Sequence, residues 1–126
     1  IYPLSLHDAL PILYDDFVKI SEPIQKIRPD YPFEVKVREP RKRPTRMGGT
    51  DASVFAIEGV PTLGFTTEDF KGYDFDYGEI WHTERDLYTK NIPEYQEHTA
   101  TVTAIIALGV ANLDKQLSRE GLYTEE

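Results

Sequence analysis

Two long stretches of helical periodicity bracket this 126-residue chain and limit what it can fold into. Leu13, Phe17, Ile20, Ile24 and Ile27 recur at spacings of three or four, the stripe of a helix that buries one face. The spacing predicts a helix over 13–28, with Pro23 expected to kink or interrupt it. Tyr95, Val102, Ile105, Ile106, Leu113 and Leu117, with alanines between them, predict a second helix reaching to about Arg119. Asn91 is expected to cap it, with Glu94 three residues on as in a capping box, and Gly121 to lie at its stop.

Between these stripes the period changes. Phe33 to Val37 alternates, which predicts a half-buried strand with Phe33, Val35 and Val37 inward and Glu34 and Lys36 outward. Arg38 to Arg46 reads as an extended loop. After Gly48 and Gly49, Thr50 or Asp51 can cap a short helix to about Glu58, with Val54, Phe55 and Ile57 facing inward and Gly59 as its stop. Val60 to Thr66 is β-rich, with Pro61 tolerable near the start of a strand. Helix, glycine and strand in that order form a unit of a layered α/β domain. Glu68 to Asp86 is a long polar loop with seven acidic residues, and loops of that length are usually functional or disordered.

Charge and composition exclude several classes. Fourteen basic residues against 22 acidic ones give a net charge of −8, which argues against a general nucleic-acid binder. No cysteine is present, so thiolate metal sites, disulfide scaffolds and cysteine nucleophiles are excluded. No apolar run approaches the roughly 20 residues of a membrane-spanning helix. The opening segment stands apart: Leu4 to Ile12 resembles the conceptual translation of a sequencing adaptor, so residues 1–12 are expected to be an artefact and residues 13–126 the genuine chain. On that reading His7 and Asp8 carry no function.

Two segments carry chemistry-bearing residues. Glu79-Ile-Trp-His-Thr-Glu-Arg-Asp86 places His82 beside the lone Trp81 in a loop rich in glycine, tyrosine and acid. An imidazole there suits a zinc ligand, although a lone loop histidine is more often simply hydrogen-bonded. Gly48-Gly-Thr-Asp-Ala-Ser-Val-Phe55 places Asp51 at a helix start, where its charge is favoured and where an ordinary cap is the plainer reading. Six of the basic residues lie between Lys36 and Arg46, a solvated or interface loop in an otherwise acidic chain. His98 falls near the start of the last helix and reads as a core or capping histidine. The acids of 68–86 lack a calcium-loop spacing; an acidic wall attracting a peptide's amino group is another reading.

In sequence order, Gly48-Gly-Thr-Asp-Ala-Ser-Val-Phe55, Glu58-Gly-Val-Pro-Thr-Leu63, Ile80-Trp-His-Thr83 and Pro93-Glu-Tyr-Gln-Glu-His-Thr99 together resemble the C-terminal part of the M28 family of zinc aminopeptidases and carboxypeptidases, relatives of the glutaminyl cyclases. The resemblance covers roughly residues 13–126. It implies part of a three-layer α/β/α zinc-exopeptidase fold with a mixed sheet, truncated at the N-terminus. It implies a secreted or periplasmic parent acting on peptides with two zinc ions, an activated water and an upstream glutamate as general base. His82 maps onto the last metal ligand, and Asp51 onto an acidic group outside the ligand shell that orients it. Trp81 maps onto the substrate pocket. Where the family often has histidine after this aspartate, the chain has Ala52. Some members have tyrosine before the ligand histidine; Trp81 lacks that phenol, leaving Tyr73 and Tyr77 as candidates to stabilise an oxyanion. The remaining ligands and the base lie upstream in the family, so this chain, separated from the missing N-terminal part of its domain, is expected to be inactive and to expose sheet edge and core face. A glutaminyl-cyclase-like transferase, told apart by its upstream ligands and by pyroglutamate formation, and a non-catalytic binding domain, whose parent would lack that ligand series, are the alternatives.

Overall fold

The computed structural model describes the backbone of residues 4–9 and 11–124 and the side chains of residues 13–124. It is a mixed α/β fold with four α-helices among the described residues. In chain order these elements are β1 (Leu4–Ala9), α1 (Pro11–Ile27), β2 (Phe33–Val37), β3 (Arg41–Lys42), α2 (Ala52–Ile57), β4 (Gly64–Thr67), α3 (Tyr77–Ile80), a 3-10 turn (Tyr88–Lys90), α4 (Pro93–Ala111) and β5 (Tyr123–Thr124). One sheet has the order β2-β1-β4, with β1 parallel to β2 and antiparallel to β4; β3 and β5 form a small parallel pair.

The core forms where α1 and α4 meet each other and the inner face of β2. Leu13, Phe17 and Ile24 of α1, Val35 of β2, and Val102 and Ile106 of α4 make one buried cluster. Each large apolar side chain buried there contributes about 1.5–3 kcal/mol. Gly109 lets the helices approach: a Cβ at that position would overlap the side chain of Ile20. On α4 the buried positions are Tyr95, His98, Val102 and Ile106, so a histidine occupies one place in the apolar stripe.

Several boundaries differ from the sequence expectation. Pro23 does not interrupt α1, which is continuous to Ile27 because buried side chains on both sides of the proline hold its two halves against α4. The α4 helix ends at Ala111 rather than near Arg119; Asn112 caps it, and Leu113 and Leu117 follow in irregular chain. Its N-cap is Ile92 with Pro93 in the first turn, and Glu94 is drawn to side chains elsewhere instead of closing a capping box. On α2 the buried residue is Ala56, while Val54 and Phe55 face solvent. Val37 is also exposed, at the end of β2, and the β-rich segment yields a strand only from Gly64. Gly59 follows α2 with φ +69° and donates to the Ala56 carbonyl, the expected helix stop; Gly121, also left-handed, instead precedes β5. The backbone of Leu4–Ala9 takes the central strand position, a pairing that depends on main-chain groups and so tolerates many sequences. The side chains of His7 and Asp8 lie outside the described residues.

His98 is 2% exposed, and neither ring nitrogen has a hydrogen-bond partner among the described residues. Burial pushes its pKa below the usual histidine value, and the Arg28 charge adds to the effect against the opposing Asp30. A base whose folded pKa is depressed stabilises the fold in its neutral form, fully above the unfolded value near 6.5 and progressively less as pH falls below it. Denaturant midpoints should therefore drop between pH 7.5 and 5.5, and replacing His98 with Phe should remove that part of the slope. Gly109→Ala should destabilise the chain by about 1–3 kcal/mol at any pH, measured in the same unfolding experiment.

Candidate functional site

The long acidic loop is ordered by a few polar groups. Asp69 accepts from the Tyr73 amide at 2.8 Å, the Phe75 amide at 3.1 Å and the Tyr95 hydroxyl at 2.7 Å. Burial alone would raise the Asp69 pKa, but the Tyr95 hydroxyl and these amides outweigh it and hold the carboxyl below its usual value. Burial, then Asp69, pushes Tyr95 up to about 12. Gly72 and Asp74 both have positive φ, and Lys90 clasps the far side of the turn through the Asp74 carboxylate and carbonyl. Asp76 then caps α3 by accepting from the Gly78 amide at 2.8 Å.

That single helical turn presents the two aromatic site residues. Trp81 stacks on Tyr77, four positions earlier, with ring centroids 6.3 Å apart and planes inclined by 24°. His82 lies edge-on to the indole at 4.4 Å. Its φ of +56° is left-handed, a region histidine enters more readily than most side chains. Thr83 closes the turn by donating to the carbonyls of Glu79 and Ile80. Trp81 is 58% exposed, and His82 also faces solvent. The imidazole has no hydrogen-bond or ion-pair partner among the described residues.

Asp51 occupies the N-cap position of α2 but makes no side-chain capping bond. The local turn is fastened instead by the Ser53 hydroxyl donating to the Thr50 carbonyl at 2.7 Å. No described interaction joins Asp51 to His82, and the cavities beside them share no residue. No group of three His, Cys, Asp or Glu side chains converges on a metal position among the described residues. Of the two tyrosines considered for an oxyanion, Tyr73 places its hydroxyl 3.3 Å from both Glu94 oxygens, while Tyr77 is the exposed partner of the Trp81 stack.

Sequence reasoning missed the best-connected polar cluster. Tyr31 is fully buried; its hydroxyl donates to Glu94, and the Lys71 ammonium reaches the same Glu94 oxygen at 3.1 Å. Arg28 and Lys71 each lie 4.3 Å from the Tyr31 ring centroid, within cation–π range. The Tyr31 hydrogen bond, followed by Lys71, lowers the Glu94 pKa; burial, followed by Glu94, raises that of Tyr31. Lys71 is held protonated by its hydrogen bonds to Tyr31 and Glu94. The cluster ties the turn after α1, the acidic loop and the first turn of α4 together. Its members are up to 63 residues apart, and Glu94 resembled an ordinary capping acid, so no local signal marked it.

The loop's order should depend on the Asp69 carboxylate. Asp69→Asn should speed amide exchange at Tyr73 and Phe75 about tenfold or more while leaving exchange in the middle of α4 unchanged, as read by hydrogen-exchange NMR.

No protein-family model, curated protein or solved structure matches the chain.

Proposed function

We propose that the chain is the C-terminal part of a secreted or periplasmic zinc-dependent exopeptidase of the M28 type, an aminopeptidase, in which it contributes one side of a three-layer α/β/α domain. The observation that carries this reading is the imidazole of His82. Resting edge-on against Trp81, it faces solvent with no hydrogen-bond or ion-pair partner among the described residues, on a turn whose backbone is secured on both sides by Asp76 and Thr83. A nitrogen donor held in place and left unengaged suits a ligand completed by groups from elsewhere. The described residues do not form a zinc centre by themselves. The metal-binding and base groups of the proposed enzyme therefore come from the upstream part of the domain.

The exposed apolar surfaces support membership of a larger domain. Val54 and Phe55 of α2 and Leu108 of α4 face solvent, and β4 has a free sheet edge among the described strands. Next to Thr67 of that edge, an apolar cleft of about 700 Å³ runs along Tyr95, Thr99, Thr103 and Ala107 of α4. In the proposed parent, Trp81 and Tyr77 wall the substrate pocket beside His82. Asp51, exposed and uncommitted to its own helix, is available to hydrogen-bond groups supplied by the upstream segment.

The test is made in the longer protein that contains residues 13–126. His82→Ala there should reduce hydrolysis of aminoacyl 4-nitroanilides by at least about 100-fold and lower bound zinc measured by mass spectrometry. Trp81→Phe should keep the zinc and alter KM. Unchanged turnover and zinc content in His82→Ala would overturn the assignment, and pyroglutamate formation without peptide hydrolysis would replace it with the cyclase reading. The present chain alone should show no hydrolysis.

A further inference from the structure

The densest positive charge of this acidic chain borders a cleft that the peptidase reading leaves unused. The cleft encloses about 620 Å³, and its lining includes Arg41, Lys42, Arg46, Gly48, Thr50 and Ser53. Five cations elsewhere, Arg28, Lys36, Lys71, Lys90 and Lys115, have a carboxylate oxygen within ion-pair distance. Those outside the cleft that are unpaired among the described residues, Lys19, Lys26, Arg85 and Arg119, are scattered along the chain. Arg41, Lys42 and Arg46 have none among the described residues, although the chain carries eight more acidic than basic residues. Arg43, their neighbour, is already committed, donating from Nε to the Ile57 carbonyl at 2.6 Å.

The walls of the cleft are held in place. Arg41 and Lys42 form β3, which pairs with Tyr123 and Thr124 of β5. The Tyr123 hydroxyl in turn donates to the Ala56 carbonyl of α2 at 3.0 Å, fastening the strand pair to the opposite wall. The Ser53 hydroxyl proton is spent on the Thr50 carbonyl, whereas the Thr50 hydroxyl has no partner among the described residues. Asp51 is exposed and is not part of the lining. A concavity bordered by three cations without carboxylate partners among the described residues concentrates positive potential.

We propose that the cleft binds the dianionic phosphate group of a small molecule. In this site the guanidinium groups of Arg41 and Arg46 match a tetrahedral dianion through charge-assisted hydrogen bonds, Lys42 adds positive charge from the other side of the strand, and the Thr50 hydroxyl supplies a neutral donor. A long polyanion would have to lie across the acidic remainder of the surface, which disfavours nucleic acid.

Calorimetry or phosphorus NMR on the 126-residue chain tests this with inorganic phosphate and pyrophosphate as probes. Binding should saturate at one site and weaken as sodium chloride is raised. Arg41→Gln and Arg46→Gln should each weaken it about tenfold, and the triple variant with Lys42→Gln should abolish it. Arg41 and Lys42 are adjacent in an extended segment and leave the backbone on opposite sides, so their single variants should differ in effect. All three side chains belong to exposed residues, and an unchanged unfolding temperature shows that the variants are folded. The proposal is overturned by failure to saturate, by undiminished binding in the folded triple variant, by succinate binding as tightly as pyrophosphate, or by tighter binding of single-stranded DNA.

Discussion

Close packing of α1 on α4 is the contact on which the other elements rest. Phe17 and Ile24 meet Val102 and Ile106 in the buried cluster, and the absence of a side chain at Gly109 makes room for Ile20. Val35 of β2 joins the same cluster, so the helix pair also fixes where the sheet lies. Because α4 follows the acidic loop after only the short 3-10 turn, and Tyr95 of its first turn bonds the loop, anchoring α4 also anchors the segment that displays Trp81 and His82. The packing thereby bears on the candidate site at a distance, through the place where the last long helix starts.

Polar contacts complete what the apolar packing begins. Tyr95 shows both roles: its ring is buried on α4, while its hydroxyl donates to Asp69 and accepts from the Lys71 amide. Glu94, one residue earlier, gathers Tyr31, Lys71 and Tyr73. Consecutive residues in the first turn of α4 thus bind the loop from two directions. Such networks constrain geometry more than they add stability, because the buried phenols give up hydration to form them while the carboxylates remain partly open to solvent. The loop can therefore be acidic and exposed along much of its length while keeping a defined path at His82.

Charge is distributed unevenly over this framework. Five cations are matched by the chain's own acids; among those that are not, within the described residues, Arg41, Lys42 and Arg46 are gathered beside the β3–α2 cleft, whereas Lys19, Lys26, Arg85 and Arg119 are scattered. A solvated basic loop, the plain reading of Lys36 to Arg46, accounts for the abundance of charge there but not for its concentration around a walled concavity. The tertiary contacts from β5 and Tyr123 make that difference, since they give the loop a fixed partner across the cleft.

The periodicities of 13–27, 33–37 and 93–111 determined that these segments would be helix, strand and helix, because one buried face imposes a repeat on local sequence. The stop at Gly59 and the burial of His98 were legible for the same reason: each depends on backbone freedom or on position within one helix. The end of α4, the outward face of α2 and the unbroken course of α1 past Pro23 were not, since each is decided by whether distant chain covers a given surface. The candidate site divides in the same way. Sequence marked Asp51, Trp81 and His82 as residues of interest, but that Trp81 and His82 meet while no described interaction joins Asp51 to them, and that Tyr31, Lys71 and Glu94 form one cluster, came only with the fold. Local sequence specifies local conformation and residue chemistry; which side chains meet is set by packing between elements far apart in the chain, and no short-range pattern records it.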